Sequence, residues 1–337
     1  MTSTRGGRNL STLLSAVSLI GLACVPVGAA EPLKGTITVD GSTTLYPLSQ
    51  TMAEALRAAN PDLTVNVKFS GTGGGFRKFC AGEIDVENAS RPIKSDENDQ
   101  CRANHIDYIE IQIAFDAVVV VVNPKNVAVD CLTVEELKKI WEPAAQGRIT
   151  SWQQVRSGFP AEKLVLFGPT RDDGTFDYFS HAIVGTETES RTDYTANVDA
   201  AILAKSVAED QNALGYFGNT YYRAYAGQLK SVAIDNGRGC VAPKAETVEN
   251  GSYRPLSRPL LLYINAASEA RREVEMFARS FLVPEAAQPI SAMGYVALPA
   301  ASLRVQNARL NFKVTGSAFG GIGSVIGVPF GWFSKTH

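Results

Sequence analysis

Histidine is scarce in this chain, and the three that occur, His105, His181 and His337, are scattered. No two cysteines stand at C-x-x-C spacing, so the close donor pairs of a structural zinc site are missing and no metal is expected. The phosphate loop G-x-x-x-x-G-K-[ST] is absent, which removes the lysine and the magnesium-binding hydroxyl of nucleotide hydrolysis. The glycines at 71–75 fail as a dinucleotide fingerprint, because the third glycine of G-x-G-x-x-G would fall on Phe76. Nor is there a G-x-S-x-G turn to carry an acyl-transfer serine. Binding without turnover and without a cofactor is the expected chemistry. A secreted phosphatase using one of the chain's hydroxyls as nucleophile is the rival from another class.

A surplus of charge of either sign is also lacking: 32 basic residues face 34 acidic ones, for a formal net charge of −2. Nucleic acid and anionic membrane surfaces are thereby disfavoured as main partners, and any anion site must be local. What the chain does have is length and apolar content. With 337 residues, 45% of them hydrophobic, it can bury one large core or two ordinary ones, and the length favours two.

The first thirty residues read as a secretory signal peptide: Arg5 and Arg8, an uncharged run over 10–27, then Gly28, Ala29 and Ala30 before Glu31. That run is marginal for a bilayer core of about 30 Å, and the small residues favour cleavage. The rival reading is a lipoprotein tethered through Cys24, and either form leaves the cytoplasm for the periplasm. Cleavage leaves Cys80, Cys101, Cys131 and Cys240, an even number suited to an oxidising compartment. Sequence permits three pairings; loop-closure cost favours Cys80 with Cys101, leaving Cys131 with Cys240.

Thr36, Ile37, Thr38 and Val39 alternate like a strand and run into Asp40-Gly41-Ser42-Thr43-Thr44. Leu48, Met52, Leu56 and Ala59 then mark one face of a helix ended by Asn60-Pro61. A strand over 64–69 opens into Ser70-Gly71-Thr72-Gly73-Gly74-Gly75, and a strand over 164–167 leads to Thr170-Arg171-Asp172-Asp173-Gly174-Thr175 and a helix over 176–183. The run 114–122, interrupted only by Asp116, predicts a strand buried on both faces. Thr133 and Glu136 form a capping box opening a helix through Ile140. No internal repeat breaks this α/β alternation. The stretch 325–337, a mixture of Gly, Phe and Trp, fits no element.

Strand, Gly/Ser/Thr loop and helix thus recur three times. Helix N-terminal N–H groups are unpaired and lie at the positive end of the dipole, so such junctions suit an oxyanion. Loops 41–44, 70–75 and 171–175 can together wrap a tetrahedral ligand. Taken singly, each is equally well a helix cap.

Four segments carry a resemblance: Asp40-Gly41-Ser42-Thr43-Thr44-Leu45-Tyr46-Pro47, Ser70-Gly71-Thr72-Gly73-Gly74-Gly75-Phe76, Ala89-Ser90-Arg91-Pro92-Ile93 and Asp173-Gly174-Thr175-Phe176-Asp177-Tyr178-Phe179. With Asn212-Ala213-Leu214-Gly215-Tyr216-Phe217-Gly218 and the stretch from Tyr253 to Ile264, they resemble the phosphate-binding proteins of bacterial phosphate ABC transporters over nearly the whole mature chain. The resemblance implies a two-lobed α/β periplasmic binding fold of type II, each lobe a mixed sheet flanked by helices, with a two-strand hinge. Residues 31–120 and 236–337 would build one lobe and 121–235 the other. It also implies binding of inorganic phosphate by hinge closure and delivery to an inner-membrane permease by a monomer. The implied ligand set is Ser42, Thr43, Thr44, Leu45, Ser70, Thr72, Ser90, Arg91, Asp173, Gly174 and Thr175. Two positions depart from the family pattern: Arg91 replaces a common aspartate, and Asp173 a serine. Arg91 is expected to grip phosphate bidentately and Asp173 to accept a proton that sulfate lacks. The bland alternatives are a solvated Arg91, a capping Asp172 and a first-turn Asp173 that merely complements the helix dipole. Sulfate or molybdate is the alternative cargo.

Overall fold

β-branched residues alternating with polar ones from Gly35 make the first strand, β1 (Gly35–Gly41), in a computed structural model that describes residues 1–2 and 31–326. The expected signal peptide, Cys24 and nearly all of the unassigned C-terminal stretch lie outside those residues. From Pro32 the described chain forms one compact unit.

Helix α1 (Tyr46–Ala59) begins with Pro47 in its first turn, where a missing N–H costs nothing. Its buried face is Leu48, Ser49, Met52 and Ala53. Leu56 is half-buried and packs against the same core, while Ala59 is exposed, a correction to the last position of the expected face. Asn60 ends it, donating from Nδ2 to Leu56 O at 2.8 Å and accepting from Leu33 N–H at 2.7 Å.

The chain continues through β2 (Leu63–Val67), α2 (Thr72–Cys80), β3 (Val86–Ala89) and α3 (Ser95–Ala103) into β4 (Tyr108–Val122), fifteen residues buried throughout. Beyond it come β5 (Cys131–Thr133), α4 (Val134–Trp141), α5 (Trp152–Val155), β6 (Val165–Pro169), α6 (Gly174–Ile183), β7 (Thr195–Asn197), α7 (Ala200–Glu209), β8 (Ala213–Gly218) and α8 (Asn219–Ala224). Thr133 caps α4 as expected, accepting from Glu136 N–H at 3.1 Å while Glu136 Oε2 accepts from Thr133 N–H at 2.9 Å. Short strands β9 (Lys230–Ser231), β10 (Ala233–Asp235) and β11 (Cys240–Val241) precede β12 (Ser257–Asn265), and β13 (Val296–Ala297) follows.

The main sheet runs β2-β1-β3-β12-β4-β8-β6-β7. Strand β4 belongs to both halves: its residues up to Ala117 pair with β12, and those from Val118 pair with β8. One half joins β1 in parallel with β2 and β3; the other joins β6 in parallel with β7 and β8; β4 and β12 are antiparallel. Side chains alternate across the first half as a period of two demands. Ile109, Ile111, Leu260, Leu262 and Ile264 pack on one core with α1, while Tyr108, Leu261 and Tyr263 join the opposite core with Phe76 and Phe79. The carboxyl ends of β1, β3 and β6 meet at the junction of the halves, where open α/β sheets place their ligands.

The pairings Cys80–Cys101 and Cys131–Cys240 are both formed. The first ties α2 to α3. The second ties β5 to β11 within a small sheet β11-β10-β5, where the chain remains to Val241. It re-enters the first half at β12.

Candidate anion-binding site

Strands β1, β2, β3 and β6 each end in a loop that leads to a helix, and these four loop ends converge. From the first loop, Thr44 Oγ1 lies 3.5 Å from Thr175 Oγ1 at the start of α6. Thr43 Oγ1 donates to Asp173 Oδ2 at 2.7 Å. From the second loop, Thr72 Oγ1 lies 3.2 Å from Ser90 Oγ, which follows β3. Gly174 closes the group: a Cβ there would stand 2.5 Å from Thr72 Oγ1 and 2.6 Å from Ser90 Oγ, so no side chain fits. Gly71 adopts φ +78° against the Asp172 carbonyl, and Gly73 N–H donates to that carbonyl at 2.9 Å. Ser42, Thr43, Thr44, Thr72, Ser90, Asp173 and Thr175 are all buried, and Ser42 Oγ has no hydrogen-bond partner.

Several residues of the implied set have other partners. Ser70 Oγ donates to Asp40 Oδ1 at 3.0 Å and so braces the first strand. Leu45 is the buried N-cap position of α1, without a side-chain cap. Asp173 is itself the N-cap of α6, not a first-turn residue: Oδ1 accepts Thr175 N–H at 2.6 Å. Asp172 does not cap; its exposed carboxylate pairs with Arg77 at 3.0 Å. Arg171 reaches outward, donating to Thr188 O at 2.6 Å.

Arg91 is neither solvated nor free. It is 1% exposed, and Nε donates to Asp177 Oδ2 at 2.6 Å, Nη1 to Glu97 Oε2 at 2.8 Å and Pro92 O at 3.0 Å, and Nη2 to Glu97 Oε1 at 2.6 Å. Of the five N–H groups of a guanidinium, these contacts leave one. Glu97 takes the Nη1 and Nη2 fork that the sequence reading gave to a phosphate oxygen pair. Burial works to lower the guanidinium's pKa, but Glu97 and Asp177 outweigh it and hold it above its ordinary value. Lys94 Nζ adds a second cation 2.9 Å from Asp177 Oδ1. Burial raises the Asp177 carboxyl, with Arg91 and Lys94 opposing. This cluster joins the turn after β3 to α6, and so one half of the sheet to the other.

A second buried arginine escaped sequence reasoning. Arg258 on β12 stands opposite Asp116 on β4, both fully buried. Nε and Nη2 donate to Asp116 Oδ2 at 3.2 and 2.9 Å, and Nη2 also donates to Thr44 Oγ1 at 2.9 Å. Asp116 Oδ1 accepts Asn219 N–H at 3.3 Å, at the start of α8. Burial raises the Asp116 carboxyl, and Arg258 opposes that rise. The available signal was a pair of single charges, Asp116 and Arg258, each set in an apolar strand. Glu87 on β3 was missed too. It lies beneath Gly41 and Gly75 with neither oxygen hydrogen-bonded, and burial raises its carboxyl well above 4.5.

The chemistry on offer is a buried group of hydroxyls, with the Asp173 carboxylate and the Arg258 guanidinium beside them. Among the described residues no cluster of three or more His, Cys, Asp or Glu could hold a metal ion.

Residues 26–282 match a family model described as a PBP superfamily domain. The chain is 42% identical over 307 residues to protein SphX of Synechocystis sp., covering 91% of this chain and 90% of that protein. It is 33% identical over 306 residues to the phosphate-binding protein PstS of Staphylococcus saprophyticus, covering 89% and 92%. Among solved structures, a possible phosphate binding protein from Planctomyces limnophilus aligns with TM-score 0.63 at 42% identity, covering 84% of this chain and 99% of that one. A putative phosphate ABC transporter substrate-binding protein from Clostridium perfringens, solved with bound phosphate, shares the fold with TM-score 0.66 at 24% identity, covering 79% and 100%.

Proposed function

Because the chain belongs to the PBP superfamily and, within it, to the substrate-binding proteins of phosphate ABC transporters, we propose that it captures inorganic phosphate outside the cytoplasm and passes it to a transporter permease. The observation that carries this reading is the meeting of Thr44, Thr72, Ser90 and Thr175 hydroxyls, from both halves of the sheet, around a side-chain-free Gly174. Hydroxyls and helix-start amides in a dry site hold an oxyanion without neutralising it fully.

In this reading Ser42, Thr44, Thr72, Ser90 and Thr175 donate hydroxyls, and Leu45 and Gly174 donate N–H groups. Thr43 and Asp173 form the proton-accepting corner: Oδ2 of Asp173 takes the Thr43 hydroxyl yet keeps a lone pair for the proton of hydrogenphosphate. Sulfate has no such proton and is repelled. Arg91 acts as the latch across the halves, and Ser70 steadies the first loop through Asp40. Residues 31–120 and 236–337 move against 121–235, and closure excludes water. The protein works as a monomer, binds without turnover, and reaches the periplasm by cleavage after Ala30; no helix among the described residues is long and apolar enough to cross a membrane.

Competition calorimetry with phosphate and sulfate at neutral pH tests the assignment. Phosphate binding at least about tenfold tighter than sulfate is expected, and Asp173→Asn narrows the gap. Equal or tighter sulfate binding overturns both the cargo and the acceptor role. Hydrolysis of a chromogenic phosphate ester, lost in Thr44→Ala, would instead support the phosphatase.

A further inference from the structure

We propose that Arg258, fixed by Asp116 at the crossing of β4 and β12, is the cationic ligand of the bound oxyanion, the part that sequence reasoning gave to Arg91; the inference rests on the oxyanion reading above. Its guanidinium is buried completely, yet Nη1 has no hydrogen-bond partner. A buried charged donor left bare is costly, so a site that retains one is arranged for something to meet it.

The direction in which that nitrogen faces follows from its neighbours. Asp116 Oδ2 takes the Nε and Nη2 edge of the guanidinium. The second hydrogen of Nη2 goes to Thr44 Oγ1 and lies on the edge shared with Nη1. That edge therefore faces the Thr44 hydroxyl, itself 3.5 Å from Thr175 Oγ1, at the meeting point of the two halves. Gly218 lets the second half approach: a Cβ there would stand 2.9 Å from Thr44 Cγ2 and 3.2 Å from Asp116 Oδ2.

Arg258 then acts on the ligand twice. Nη1 donates directly to one oxygen. Through Nη2 it fills the acceptor side of Thr44 Oγ1, so the Thr44 hydroxyl points its own proton away from Arg258, toward Thr175 and the ligand. Asp116 is a positioning residue: it orients the fork from one strand while accepting Asn219 N–H from the other half. A cation carried on two paired strands is held more rigidly than one on a loop, which suits a ligand that must be met in one geometry. Arg91 has only one N–H left to offer while Glu97, Asp177 and Pro92 O take the others.

The test is titration of the full-length secreted protein with inorganic phosphate, in wild type and Arg258→Lys. Lysine keeps a positive charge against Asp116 but lacks Nη1 and the planar fork. The expected result is a loss of affinity on the order of ten- to a hundredfold in a variant that still melts cooperatively. A second readout needs no variant: arginine side-chain nitrogen resonances of the wild type, recorded with and without phosphate, are expected to show one guanidinium with a new coupling to phosphorus. An Arg258→Lys protein that binds phosphate within about threefold of wild type, or guanidinium signals untouched at saturation, overturns the proposal while leaving phosphate binding intact. A wild type that binds no phosphate removes the oxyanion reading and this inference together.

Discussion

The fold buries Arg91 and Arg258 almost completely and treats them in opposite ways. Arg91 meets two carboxylates and a carbonyl, stacks 5.5 Å from the Phe76 ring centroid, and has one N–H to spare. Arg258 meets one carboxylate oxygen and one hydroxyl and has a whole nitrogen bare. A saturated buried cation contributes to the architecture; an unsaturated one is available to a ligand. Glu87 completes the series as a buried acid whose two carboxyl oxygens have no hydrogen-bond partner, and burial raises its pKa well above the ordinary value.

Removing each group breaks this comparison at a different point. Arg91→Met removes the cation shared by Asp177 and Glu97, leaving Asp177 with Lys94 alone, and a cost of about 3–5 kcal/mol in urea unfolding is expected. A cost below about 1 kcal/mol would show that the cluster is not the latch described. Loss of the Cys131–Cys240 bond in the Cys131→Ala/Cys240→Ala pair is expected to cost about 2–4 kcal/mol, while leaving phosphate affinity unchanged because β5 and β11 lie away from the site. Thr175→Val removes one donor at the meeting point and should weaken phosphate binding about tenfold with little change in stability.

Glu87→Gln is the mildest change and the most dependent on pH. The folded chain holds a proton on Glu87 that the unfolded chain releases above 4.5, so this group's contribution to stability is present below that pH and lost as pH rises toward the folded value. The variant cannot lose that proton. Its melting temperature should match wild type near pH 4.5 and exceed it by about 2 °C or more at pH 8. A constant offset at both pH values would mean that Glu87 does not titrate upward on folding.

Local pattern made much of the architecture legible. The Thr133 capping box, the strand leading to Gly41 and the strand-loop-helix order around 70 and 174 all depend on neighbours a few residues apart. The early part of β4 was less readable, since Glu110 and Gln112 look like surface residues. They are buried because Tyr263 Oη donates to Glu110 Oε2 at 2.6 Å and Gln306 Oε1 accepts from Gln112 N–H at 2.9 Å, partners far along the chain. The same distance problem hid the partners of both arginines. Asp177, which holds Arg91, lies far downstream of it, and Thr44 and Asp116, which hold Arg258, lie far upstream. The loops announced their chemistry, whereas the cation that faces them is visible only once β4 and β12 are paired.

The most direct test is a crystal structure of the protein grown with inorganic phosphate. Phosphate oxygens are expected within hydrogen-bond reach of Thr44, Thr72, Ser90 and Thr175, with Arg258 Nη1 on one oxygen and Arg91 still bound to Glu97 and Asp177. Phosphate seated elsewhere, or hydroxyls of these four residues facing away from it at full occupancy, would contradict the account.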